Sequence, residues 1–179
     1  MPVVFRELSL NEEKILQKAI DYWILKNQLG LLNHYHFVVG EGRWRELFLT
    51  NKSAFKLFEN SNISPYSIGL GFGEFKKGTL LLSLSGASFI AKLTDKTAIV
   101  TEAGEQAFLY RRDILSQSLF QINSSIKVGQ KLIVFNRQKD PLGLARLLID
   151  PTEIQKEQTK DQIVLKNIID LGWYLRKGG

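Results

Sequence analysis

The sequence predicts an α+β protein made of two small domains, the first an antiparallel sheet with helices. Three features carry this expectation. A capped amphipathic helix runs into a hairpin in the first fifty residues, short strand-like runs bounded by glycine turns recur in both halves, and a polar break at Thr94-Asp95-Lys96-Thr97 divides the chain near its middle. With 179 residues, 44% of them hydrophobic and 11% aromatic, each half has material for a core of its own. The expected domains are residues 1–94 and 95–179.

Ser9 followed by Glu12 reads as a capping box, in which each side chain satisfies a backbone N–H at the start of a helix. Ile15, Leu16, Ala19, Ile20, Trp23 and Ile24 then recur at helical spacing, and the helix is expected to end before Gly30. His34 to Val39 and Arg43 to Thr50 form a hairpin about Gly40-Glu41-Gly42, and Lys52 to Phe58 a short helix. After a loop at 60–65, strands are expected at 66–72 and 79–83 with a turn near Lys76-Lys77-Gly78. Ser85 is read as the cap of a helix through Phe89, Ile90 and Leu93. Beyond the break, Ala98-Ile99-Val100 is a strand and Ala103 to Leu109 a helix opening at Gly104. Strands follow at 131–136 and 141–149, a polar loop at 150–162, and a last strand at 163–169.

Several function classes lack the residues they need. No apolar run approaches the roughly 20 residues that cross a bilayer, so no membrane segment is expected. The N-terminus lacks the basic start and small-residue cleavage site of a secretory leader. There are no cysteines, which excludes disulfides, thiolate metal sites and a cysteine nucleophile. A cytoplasmic location is expected, nuclear or nucleolar in a eukaryotic source. His34 and His36 are the only histidines, and Arg43 and Arg45 on the facing strand would repel a cation, so no metal site is expected. Gly69, Gly71 and Gly73 follow a strand, but the third glycine comes two positions after the second where a dinucleotide fingerprint needs three. They read as points of close backbone approach. No catalytic set and no cofactor are expected.

The net charge of +6 points to an anionic partner without locating it, because residues 1–94 carry 11 basic and 8 acidic side chains and residues 95–179 carry 13 and 10. A better local sign is Tyr110 followed by Arg111 and Arg112 at a helix end, an aromatic for stacking beside guanidinium groups for phosphate. The alternative is a tyrosine in the core and arginines that only solvate the helix end.

Glu102-Ala-Gly-Glu-Gln-Ala-Phe-Leu-Tyr110, Asp140-Pro-Leu-Gly143 and Asp170-x-Gly172-x-Tyr174-Leu-Arg176, with Ser67-x-Gly69 and Phe72-Gly73-x-Phe75 upstream, resemble the large-ribosomal-subunit biogenesis factors of the NIP-seven type. The resemblance implies a C-terminal PUA domain, a mixed β-barrel that binds RNA, after an α+β domain that docks other assembly factors. It implies a non-catalytic role in pre-rRNA processing and large-subunit assembly, as a monomer, with rRNA, single-stranded or structured, and the pre-ribosomal particle as partners. Carried onto this chain, the RNA-binding regions hold Gly104, Gln106, Tyr110, Arg111, Arg112, Lys166, Arg176 and Lys177, to which Lys156 and Lys160 are added from the adjacent insertion. Lys160, Lys166, Arg176 and Lys177 are expected to form one basic patch, with Arg111 and Arg112 extending it. Two other roles fit the same residues: an accessory subunit of a tRNA- or rRNA-modifying complex, and a docking adaptor whose RNA binding is vestigial. The pattern departs from the family at Glu102-Ala103, commonly Pro-Gly, and at Arg111, commonly Gly.

Overall fold

The computed structural model describes residues 3–61, 63–154 and 160–177. The chain divides into two compact units, residues 1–93 and 94–179.

In the first unit, β1 (Val4–Arg6), β2 (Tyr35–Glu41), β3 (Arg45–Asn51), β4 (Leu70–Lys76) and β5 (Thr79–Leu82) form an antiparallel sheet in that order. With it go helices α1 (Leu10–Trp23), α2 (Lys52–Glu59) and α3 (Leu84–Ile90). The Ser9/Glu12 capping box is formed. Glu12 is buried and also takes both Arg6 guanidinium nitrogens, at 2.8 and 3.0 Å. α1 stops at Trp23, short of the expected end near Gly30. Trp23 and Ile24 are both buried. Ile24 is extended instead, and the Leu25 N–H donates to the Leu93 carbonyl. Residues Lys26–His34 then coil as a 3-10 helix, so His34 lies ahead of the strand that carries His36.

Two further expectations shift for local reasons. β4 begins at Leu70, not Tyr66, because Gly69 has φ +75° and packs against the Leu49 carbonyl, which leaves Tyr66 exposed. α3 is capped by Ser83, not Ser85. The Ser83 hydroxyl accepts from the Gly86 N–H at 2.9 Å and donates to the Gly71 carbonyl, while Ser85 faces solvent. Of the glycine series, Gly69 and Gly73 lie hard against the Leu49 and Leu81 carbonyls as expected, whereas a Cβ on Gly71 would meet only the Phe48 ring, at 3.9 Å.

The second unit is a nearly closed mixed barrel. Its strands are β6 (Thr97–Val100), β7 (Ile114–Leu115), β8 (Leu119–Ile122), β9 (Lys131–Phe135), β10 (Pro141–Leu147) and β11 (Ile163–Asp170), in the order β7-β11-β10-β9-β6-β8. β6 and β9 pair in parallel, the other pairs antiparallel. Helix α4 (Glu102–Leu109) plugs one side with fully buried Phe108, which shares one core with Val100, Ile114, Leu132, Leu147 and Leu165. The short β7 and β8 have no counterpart in the sequence reading. β8 alternates poorly, with Phe120 and Gln121 both exposed between half-buried Leu119 and Ile122. Part of the expected 150–162 loop is a one-turn helix α5 (Pro151–Ile154), started by Asp150, whose carboxylate accepts from the Thr152 N–H and hydroxyl. Helix α6 (Gly172–Lys177) follows β11.

Candidate nucleic-acid interface

α4 carries the motif that first suggested RNA, and its two faces differ. The inner face is structural. The Thr101 hydroxyl caps the helix by accepting from the Gly104 N–H at 3.2 Å, and Gly104 is buried where a Cβ would meet the Ser118 carbonyl oxygen at 2.5 Å. Glu105 accepts from Asn136 Nδ2 at 3.3 Å. The outer face is open. Gln106 is exposed and Tyr110 is 73% exposed, which decides between stacking platform and core residue in favour of the surface. Ala103, Gln106, Ala107, Tyr110 and Arg112 line a shallow cleft of about 340 Å³.

The chain leaves α4 through a left-handed residue. Arg111 has φ +64°, its N–H donates to the Phe108 carbonyl, and the Arg112 N–H reaches back to Ala107. These two bonds are those of a Schellman turn, whose left-handed position glycine fills best. Arg111 therefore stands where the resemblance expects glycine, and it adds an exposed cation beside Tyr110 at a conformational cost.

The end of β11 binds this helix terminus. Asn167 Nδ2 donates to the Phe108 carbonyl at 2.9 Å and to Asp170 at 3.2 Å. Asp170 is 1% exposed and takes both Arg176 guanidinium nitrogens, at 3.0 and 3.1 Å. The same guanidinium donates to the Leu109 carbonyl, one of the last of α4. Gly172 packs so closely on that carbonyl that a Cβ would collide with it. The closing Asp-x-Gly-x-Tyr-Leu-Arg pattern is thus a clamp joining β11, α6 and α4, and Arg176, expected to contact RNA, has its guanidinium held within the fold. Asp140-Pro-Leu-Gly is likewise scaffold: Asp140 bonds Asn136, Leu142 is buried, and Gly143 lies against the Ile169 carbonyl.

The remaining expected cations separate. Lys160 precedes β11 and Arg176 follows it, and eight residues of strand at about 3.3 Å each put roughly 25 Å between its ends. One patch holding both is therefore not formed. The Lys160 carbonyl accepts from the Gln117 N–H. Lys166 is exposed in mid-strand, directly across from Arg146. Lys156 lies outside the described residues, as does the side chain of Lys177. The sequence reading missed Arg146 and Lys131, whose only signal was their place on neighbouring strands.

Residues 5–84 match the NIP7/UPF0113 pre-PUA domain, and residues 96–179 match the UPF0113 PUA domain. A UPF0113 protein of Archaeoglobus fulgidus is 29% identical over 176 residues, covering 97% of this chain and 95% of its own. Among solved structures, a hypothetical protein from Pyrococcus horikoshii superposes with TM-score 0.64 at 11% identity, over 93% of this chain and 94% of that one. A conserved PUA domain protein from Thermoplasma acidophilum gives 0.62 at 14% identity, over 94% and 95%. These last two share the fold. Taken in order along the chain, the two matches give a domain similar to the NIP7/UPF0113 pre-PUA domain followed by one similar to the UPF0113 PUA domain.

Proposed function

We propose that the protein is a non-catalytic RNA-binding factor that serves pre-rRNA processing and large ribosomal subunit assembly. Its PUA domain contacts the RNA, and its pre-PUA domain docks other assembly factors. The observation that carries this reading is the open face of α4. Tyr110 stands in solvent at a helix end, flanked by Arg111 and Arg112, with Gln106 one turn back to hydrogen-bond a base edge. An aromatic face for any base beside guanidinium groups for phosphate gives sequence-tolerant binding to single strands. The PUA and NIP7 family matches support the same reading.

The test is fluorescence anisotropy of the full chain with a labelled single-stranded RNA at several salt concentrations. Stacking contributes about 1–3 kcal/mol per base, so Tyr110→Ala should weaken binding by roughly 5- to 150-fold. Failure of the unaltered protein to bind single-stranded or structured rRNA fragments at low salt would sink the proposal and favour a docking adaptor.

A further inference from the structure

Three basic side chains stand in a row across the sheet of the second unit. β10 runs between β9 and β11, and Arg146 on it is in register with Lys131 of β9 on one side and Lys166 of β11 on the other. Residues directly opposite on neighbouring strands project to the same face. The flanking residues Ala145 and Leu147 belong to the barrel core, so the row lies on the outer face. Arg146 and Lys166 are exposed and Lys131 is half-buried. Like charges directly opposite one another repel across a sheet. Partial burial, together with the Arg146 charge, pushes the Lys131 ammonium down from its ordinary value. Leu148, just past the end of β10, and Ile168, two residues beyond Lys166 on β11, are 39% and 43% exposed.

We propose that Lys131, Arg146 and Lys166 form a phosphate-binding track for the backbone of the RNA whose bases are read at α4. The proposal rests on the RNA-binding reading above and assigns it a second surface. Neighbouring strands lie about 4.8 Å apart, so the row spans roughly 10 Å. Successive phosphates along a single strand lie roughly 6 Å apart, wider than the axial rise of about 3.4 Å in a duplex, so a row of about 10 Å faces two or three of them at once. The central arginine supplies a planar fork that binds one phosphate in two places, and the lysines act as point charges on either side. Relief of the mutual repulsion makes an anion bind here more tightly than at a single exposed cation.

The experiment compares the full chain with the triple variant Lys131→Gln, Arg146→Gln, Lys166→Gln, using anisotropy with labelled single-stranded RNA across a salt series. Each phosphate contact contributes about 0.7 to the slope of log affinity against log salt, so two or three lost contacts flatten it by roughly 1.5–2. At 0.15 M salt the same contacts correspond to a loss of about 10- to 50-fold. Arg146→Glu gives a second readout. It turns the row into Lys-Glu-Lys with two favourable cross-strand pairs, so it should raise the melting midpoint while weakening RNA binding, a combination no folding defect imitates. Arg146→Lys should leave the slope unchanged. A triple variant that keeps the affinity and slope of the unaltered protein overturns the track and leaves the RNA reading standing. An unaltered protein that binds no RNA overturns both.

Discussion

If the Arg176 guanidinium is a clamp, removing either end of its bond to Asp170 should loosen the PUA domain before it touches RNA affinity. Asp170 is 1% exposed and receives three donated bonds, two from Arg176 and one from Asn167. Arg176→Ala leaves this carboxylate buried without its counter-charge and takes a donor from the Leu109 carbonyl. Breaking a buried ion pair in this way costs about 3–5 kcal/mol. The Arg176 side chain is 29% exposed, so solvent screening lowers the expected cost to roughly 2–3 kcal/mol. With a urea dependence of about 1–2 kcal/mol per molar for a domain of this size, the midpoint should fall by roughly 1–3 M. Asp170→Asn should produce a similar but smaller fall, and a double-mutant cycle should give a coupling energy of about 1–3 kcal/mol. The assay is urea unfolding of the full chain followed by far-UV circular dichroism, alongside RNA anisotropy. An Arg176→Ala midpoint that does not move, with an RNA salt slope flatter by about 0.7, would refute the clamp and make Arg176 a phosphate contact.

Other expectations follow from single sites. The Arg6 guanidinium holds the buried Glu12 carboxyl down to about 2 from an ordinary value near 4.5. A carboxyl depressed by folding contributes stability that is complete above its unfolded value and is lost as pH falls through its folded one. The pre-PUA domain should therefore lose roughly 2 kcal/mol between about pH 4.5 and 2, and Glu12→Gln should flatten that decline in pH-dependent denaturation. Arg111→Gly relieves a left-handed residue at φ +64° and should raise the PUA-domain stability by about 0.5–1 kcal/mol, seen as a higher thermal midpoint, while lowering the RNA salt slope. Gly143→Ala should cost at least about 2 kcal/mol in denaturant melts, because the new methyl group meets the Ile169 carbonyl in the paired strand and backbone cannot step aside.

The sequence alone determined whatever depends on neighbours along the chain. The Ser9/Glu12 capping box, the α2 helix, the β2–β3 hairpin and the turn at Lys77-Gly78 are local hydrogen-bond and dihedral preferences, and each was legible. Family motifs were legible too, yet the structure shows that the Gly104, Asp140–Gly143 and Asp170–Arg176 segments build the scaffold. They hold carbonyls and strands at distances only glycine or a paired carboxylate allows. The early end of α1, the move of the α3 cap to Ser83 and the short β7 and β8 were decided by burial against distant segments, which leaves little local trace. The candidate RNA surface divides the same way. Tyr110 and its arginines are adjacent in sequence and could be seen together. Lys131, Arg146 and Lys166 are brought side by side only by strand pairing, and a shift of one residue in that register would turn Arg146 into the core. Charge composition records how many cations a chain has; the register of its sheet decides which of them share a ligand.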